Sequence, residues 1–321
     1  MDEPHPNPND EQNQVREAYQ VREAYYDRLT NPANGFTLAQ MFPTPADLSG
    51  LYAQLNLLKA CLDSFRPLDP AQADKLRETF DTAYTFHSNK IEGNTLSLRE
   101  TDLVLNKGLT IAGKSLREHA EAINHQEAIA FIRDLATRNE ELTAGNLKQI
   151  HALILHGIDR DNAGRYRGVP VTITGSRHIP PQPYMIDKLM EDMFAFYDAN
   201  KASMHPVALA AQMHETLVTI HPFIDGNGRT VRLVMNLLLL RAGYPITIIF
   251  GEDASRLEYY RTLEAANTSP TGGNLAFQRF IAENVREWLL RYLELVSVDV
   301  TVAGKDKGDF FFHTIRPSLG I

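Results

Sequence analysis

His221-Pro222-Phe223-Ile224-Asp225-Gly226-Asn227-Gly228-Arg229-Thr230-Val231-Arg232 sets a base, a carboxylate of metal-ligand type, two close glycines and two arginines in one short stretch of chain. Upstream, Val207, Ala208, Ala211, Leu217, Val218 and Ile220 recur at helical spacing, and Pro222 blocks continuation, so His221 falls at a helix exit. Downstream, Val231, Leu233, Val234, Met235 and Leu237 to Leu240 read as a second helix, apolar on nearly every side, that Gly243 and Pro245 bring to an end. A helix of that kind runs through a core. The polar stretch is then the N-terminus of a buried helix, and the fold is mainly α.

That location decides what the loop residues can do. A helix N-terminus presents unpaired amides and about half a positive charge, which attracts an anion without any side chain. Gly226 and Gly228 can take positive φ and let those amides converge, and Asn227 between them tolerates left-handed geometry. Arg229 and Arg232, spaced i,i+3, share one helix face, where guanidinium forks suit separate phosphate groups. Asp225 is a hard oxygen ligand, and magnesium commonly takes one or two carboxylates plus phosphate oxygens and water. His221 titrates near neutrality and is the candidate general base. A capped helix start with solvated arginines and a core histidine would account for any one of these residues, but not for their coincidence. The chemistry implies a magnesium nucleotide and an activated nucleophile, and leaves open which phosphorus is attacked.

The stretch resembles the H-x-F-x-[DE]-G-N-G-R-x-x-R signature of the Fic family at every fixed position. The resemblance implies a Fic-type helical bundle that transfers AMP from ATP to a Ser, Thr or Tyr hydroxyl of a target protein and releases pyrophosphate. It implies that His221 deprotonates the hydroxyl, that Asp225 holds Mg²⁺ and that Gly226, Asn227 and Gly228 cradle the α- and β-phosphates. Arg229 would serve the inner phosphates, Arg232 the γ-phosphate, and Phe223 would be a buried anchor. Relatives that move another nucleotide, phosphate or phosphocholine keep a different transfer open. So does a catalytically idle protein that binds nucleotide as a switch.

A second segment, Ser88-Asn89-Lys90-Ile91-Glu92-Gly93-Asn94, resembles the family's inhibitory pattern [ST]-x-x-x-E-[GN]. In that pattern a helix-borne glutamate pairs with the second arginine of the active-site motif, here Arg232. The local reading agrees: Ala71 to Lys90 is helical, Gly93 and Asn94 make an αL stop, and Glu92 projects from the last turn. A carboxylate there would displace the γ-phosphate. Because the segment precedes the catalytic region in the same chain, the resemblance is to the self-inhibited class II type. In some relatives the same glutamate also serves removal of AMP from the target.

Two further stretches fit a substrate site. Val169 to Ile173 is β-branched, Thr174-Gly175-Ser176 is a turn, and Arg177 to Ile179 resumes before Pro180-Pro181, which reads as a β-hairpin. Fic proteins carry a comparable flap, whose edge would take the target segment as an added strand beside His221 and whose Thr174 to Arg177 tip would face the nucleotide. Glu258 to Asn267 resembles the family's helix behind the nucleotide. There Tyr260 and Asn267, on one i,i+7 face, offer an aromatic wall and an amide for adenine.

The rest of the 321 residues fits this picture. A formal charge of −8 from 40 acidic and 32 basic residues argues against a nucleic-acid-binding surface. The single cysteine, Cys61, fits a reducing compartment and small-residue packing, and no apolar run is long enough for a bilayer, so a cytoplasmic protein is expected. Residues 1–13 are polar and Pro- and Asn-rich and are expected to be disordered, with no secretory leader. Residues 14–110 read as an N-terminal helical module that carries the inhibitory helix, opening with a repeated hexamer (Gln14 to Tyr19, Gln20 to Tyr25). In it, helices are expected over Leu51 to Phe65 and Pro70 to Lys90. Residues 111–296 read as the Fic catalytic domain, with helices over Ser115 to Ala136, Thr143 to Gly157, Ile186 to Ala199, His205 to Ile220, Gly226 to Ala242, Ser255 to Ala266 and Leu275 to Val296. Residues 297–321 read as an extension in which Ser297 to Val302 and Asp309 to Ile315 pair as a hairpin. His87, His119, His125, His151, His156, His205 and His214 lack metal-ligand spacing and read as packing or surface residues, while His178 lies on the flap. A self-paired dimer is implied by the resemblance alone.

Overall fold

A computed structural model describes residues 45–268 and 274–303. The expected N-terminal tail, the hexamer repeat and the second arm of the C-terminal hairpin lie outside those residues. Ten α-helices make up the described fold: α1 Leu48–Ser64, α2 Pro70–Ile91, α3 Leu98–Lys107, α4 Leu116–Thr137, α5 Ala144–Ile154, α6 Ile186–Asn200, α7 Pro206–Ile220, α8 Asn227–Arg241, α9 Asp253–Thr268 and α10 Leu275–Ala303.

Helix α8 is the axis of the bundle. Val231, Leu233, Val234, Met235, Leu237 and Leu239 are all buried, because α7, α4 and α5 cover α8. Each such side chain contributes about 1.5–3 kcal/mol by leaving water. The chain that leaves α8 is then pinned by Asn236, whose amide donates to the Thr247 carbonyl at 2.9 Å and accepts from the Thr247 N–H at 2.8 Å. The Trp288 indole of α10 donates to the Ile248 carbonyl at 2.7 Å, so the extended run 244–250 is stitched between two helices. Helix α10 in turn packs on α1, α9 and α7, and α2 packs on α4 and α3. The N-terminal helices α1 and α2 thus share one continuous apolar core with the helices that follow.

The sequence passes over α3. Its signals are a capping box, in which Ser97 and Glu100 satisfy each other's backbone N–H groups, and Gly108 in the left-handed region at its end. At the other end of the chain, Ser297 to Val302 continue α10 as helix instead of forming a strand. Adding residues to a helix already nucleated and packed costs less than starting new structure, and this outweighs the β-branched local preference. The flap also departs from expectation. A turn forms at Thr174 and Gly175 with the Ser176 N–H bonded to the Ile173 carbonyl, but no paired strands flank it, and none occur among the described residues. Pro170, Pro180 and Pro181 remove donors from any ladder. Among the described residues, no helix is long and apolar enough to cross a membrane.

Candidate active site

Helix α7 ends at His221, whose φ of 50° and ψ of 59° put it in the left-handed region, with its N–H on the Leu217 carbonyl at 2.9 Å. A non-glycine residue there is held by its surroundings, because the conformation costs energy without them. Arg167 supplies that hold: its Nε donates to the His221 carbonyl at 2.8 Å and its backbone N–H to the Pro222 carbonyl at 2.9 Å. Burial pushes the His221 imidazole down to about 4, and the Arg167 charge adds to this, while the Val218 backbone and the Glu92 carboxylate oppose it. The ring is therefore neutral at physiological pH and free to accept a proton.

The loop between the helices is built from the inside. The Asn227 amide accepts from the Phe223 N–H at 3.0 Å and donates to the Phe223 carbonyl at 2.9 Å, so its side chain is spent on loop geometry. Only its backbone is left for an anion, which narrows the role the sequence suggested. Phe223 is buried and stacks on His151, ring centroids 3.7 Å apart and planes within 7°. His151 accepts the Gly164 N–H on Nδ1 at 2.9 Å, so its Nε2 carries the proton and donates to the Asp225 carbonyl at 2.8 Å. Burial drives His151 down to about 4, which keeps that single tautomer in place. Gly226 caps α8 with φ 75°, and a Cβ there would press on Ile154 and the His151 ring.

Charge converges on the open side of this loop. Arg232 and Arg229 are both buried although they sit in the first turns of α8. Arg232 Nη2 lies 2.7 Å from Glu92 Oε1 and donates to the Ser88 carbonyl at 2.8 Å, while its Nε donates to the Ser88 hydroxyl at 3.0 Å. Burial opposes the Arg232 charge, and Glu92 more than offsets this, so the guanidinium is held firmly protonated. The same Glu92 oxygen crowds Gly228 so closely that a Cβ on Gly228 would collide with it. A carboxylate of the chain itself therefore occupies the space between the N-terminus of α8 and Arg232.

The Glu92 turn is fastened from several sides. Helix α2 stops at Ile91, one residue later than expected, and Gly93 takes φ 94°. Gly93 and Asn94 form the expected αL stop, with the Gly93 N–H on the Lys90 carbonyl at 3.0 Å and the Asn94 N–H on the Asn89 carbonyl at 3.1 Å, and the Asn94 side chain also donates to the Glu118 carbonyl at 3.1 Å and to Glu121 at 3.0 Å. Tyr260 donates to the Ile91 carbonyl at 3.2 Å.

Asp225 accepts from the Gly226 N–H at 2.6 Å and pairs with Arg117 of α4 at 2.8 Å, while Arg229 stands 3.8 Å away and also meets Glu121 at 3.3 Å. No group of three or more acidic, histidine or cysteine side chains suited to a metal occurs among the described residues. One half-exposed carboxylate beside an anion cradle fits an ion that completes its shell with phosphate oxygens and water, as Mg²⁺ does.

The flap tip is clasped by Glu264 of α9, which accepts from the Ser176 hydroxyl at 2.5 Å and from the Arg177 N–H at 2.9 Å. His178 Nε2 lies 2.8 Å from the Thr219 carbonyl, two residues before His221. Asn267 accepts from the Thr219 hydroxyl at 2.6 Å, and Tyr260 is half-exposed. The structure thus gathers His221, Asp225 to Gly228, Arg229, Arg232, Ser88 and Glu92 around one helix N-terminus, with Thr174 to Arg177 linked to α9 beside them. Sequence reasoning missed Arg167, Glu264, Arg117 and Glu121 and read His151 as packing, since none of them stands in a local pattern.

Comparison with known proteins agrees with this geometry. Residues 141–239 match the Fic/DOC family. The chain is 37% identical over 280 residues to "Protein adenylyltransferase Fic" of Culex quinquefasciatus, covering 85% of this chain and 54% of that one. It therefore spans about half the length of the curated relatives it matches. Among solved structures, residues 134–508 of Fic-1 from C. elegans superpose with a TM-score of 0.69 at 31% identity, over 78% of this chain and 73% of that one. A Fic domain containing signaling protein from Bacteroides thetaiotaomicron VPI-5482 superposes with a TM-score of 0.69 at 28% identity, over 77% and 97%. With the motif, the helical frame and the loop geometry all in agreement, the chain belongs to the Fic/DOC family.

Proposed function

We propose that this protein is a protein adenylyltransferase that transfers AMP from ATP to a hydroxyl of a target protein and restrains itself through Glu92. One observation carries the reading: a neutral, half-buried His221 stands beside a helix N-terminus whose anion space and second arginine are filled by a carboxylate of the same chain. The relatives named protein adenylyltransferase support it.

In the reaction, the amides of Gly226 to Gly228 and the Arg229 guanidinium bind the inner phosphates and orient the α-phosphorus. The target hydroxyl oxygen bonds to that phosphorus, its proton passes to His221, and the bond to the bridging oxygen breaks to release pyrophosphate. When bound at Asp225, Mg²⁺ supplies charge neutralisation on the phosphates. Arg232 would take the γ-phosphate only after Glu92 leaves it. The two anions compete for one guanidinium, so ATP bound with Glu92 in place is misaligned for in-line attack. Tyr260 and Asn267 flank the base, and the flap presents the target's backbone.

The test is the intact mass of wild type and Glu92→Gly after incubation with ATP and Mg²⁺, alone and with candidate target proteins. An AMP adduct that rises at least about tenfold in the variant is expected, given that a competing carboxylate is removed from the phosphate subsite while Arg232 remains. Equal adduct levels in both proteins would remove the restraint from the reading, and none in either would remove the activity.

A further inference from the structure

The flap's edge must stand at a set distance from His221 if it is to deliver a hydroxyl, yet its backbone has no ladder to hold it. Arg167 is the residue that spans the gap. It is 3% exposed, and each guanidinium nitrogen donates to a different backbone carbonyl: Nε to His221 at 2.8 Å, Nη1 to Val169 at 3.0 Å and Nη2 to Pro181 at 2.6 Å. Val169 and Pro181 bracket the flap, and His221 is the candidate base. One rigid plane therefore ties both ends of the flap to the carbonyl of the residue that would take the proton.

Packing alone does not explain an arginine here. Burying a cation whose bonds go to neutral carbonyls is unfavourable by several kcal/mol relative to an apolar side chain of similar volume. Burial indeed pulls the Arg167 pKa down. What the arginine adds is geometry: a planar fork with donors in fixed directions, which lysine cannot copy with a single rotating ammonium. It also supplies, from a side chain, the donors that Pro170, Pro180 and Pro181 cannot.

We propose that Arg167 is the positioning residue that sets the flap's register against His221, so that an extended segment of a target protein docks with its hydroxyl in reach of the base. Arg167 itself touches neither target nor nucleotide. The proposal rests on the adenylyltransferase reading for its catalytic consequence, but not for its structural one.

Two measurements test it. The first is hydrogen exchange on the free protein, wild type against Arg167→Lys. Amides of residues 171–179 are expected to exchange at least about tenfold faster while those of α7 and α8 keep their protection. Unchanged exchange in the flap overturns the proposal, and so does an equal loss across α7 and α8, which would make Arg167 a purely structural residue. If Arg167→Lys does not fold, Arg167→Gln replaces it, and failure of both to fold likewise overturns it. The second measurement places Arg167→Lys on Glu92→Gly and follows AMP transfer to a protein target. Here kcat/KM for the target should fall by roughly 100-fold, the penalty for an ångström-scale misplacement, while the Kd for ATP stays within about threefold. A parallel loss of ATP affinity overturns the positioning role. Should the Glu92→Gly parent transfer nothing, the adenylyltransferase reading fails, and the exchange experiment still decides on Arg167.

Discussion

The loop from His221 to Arg232 and the flap from Val169 to Ile179 are tied together through Arg167, and otherwise they are held by different means. The loop is fixed from within by buried groups: the Asn227 amide on Phe223, the Phe223 ring on His151, and His151 on Asp225 and Gly164. The flap has no ladder and is held by three side-chain clasps, buried Arg167 at its base, His178 along it and Glu264 at its tip. Chemistry on a phosphate needs donors placed to a fraction of an ångström, and burial provides that precision. On the proposed function, a flap that presents varied protein segments needs an edge that can adjust, and clasps at its base and tip leave the span between them free of a ladder. The difference teaches that rigidity here is allocated by task.

Four expectations test that contrast. The largest effect belongs to the loop. In the Glu92→Gly background, His221→Ala should lower AMP transfer by at least about 100-fold with ATP affinity little changed, measured by label incorporation. Loss of ATP binding instead would mean that His221 holds the loop and does not act as a base. Next, Asn227→Ala strands two buried backbone groups and should cost roughly 2–4 kcal/mol in denaturant unfolding. A near-neutral result would break the claim that the loop is set from within.

The flap should respond more gently. Glu264→Ala frees the Ser176 hydroxyl and the Arg177 N–H near solvent, so global stability should move by less than about 1 kcal/mol while exchange of residues 174–178 quickens. A large drop in stability would place the flap with the loop as core structure. The smallest effect concerns pH. With His221 pushed down to about 4, its neutral, proton-accepting form persists as pH falls, and activity is lost only on protonation near that value. The acid limb of transfer by Glu92→Gly should therefore stay flat to about pH 5, and removing Glu92, which favours the protonated ring, moves it lower still. A half-loss near 6.5 would show an imidazole open to water.

Much of this was legible in the chain. The helix exit at His221 and the buried helix after Gly228 follow from spacing and from Pro222, because helical periodicity is a local property. Glu92 and Arg232 stand 140 residues apart, and only a resemblance in pattern connected them before the structure set them at 2.7 Å. Arg167, His151 and Glu264 carried no such pattern. Their bonds run from side chains to distant backbone or to the flap, and nothing periodic marks a donor for a carbonyl 54 residues away. The flap and Ser297 to Val302 misled in the same way, since β-branched composition states a preference that prolines or an adjoining helix can override.

The sequence by itself determined the chemical inventory and its local frame: a base at a helix exit, glycines and arginines at a helix start, and a glutamate beside a helix stop. These depend on residue types a few positions apart. Only the tertiary structure decided which charges meet. It put Glu92 in the anion space over Gly228, turned the Asn227 amide inward and gave Arg167 three carbonyls in one plane. The reason is that the strength of a charge or a donor depends on burial and on the direction of its partner, and both are set by packing between helices far apart in the chain.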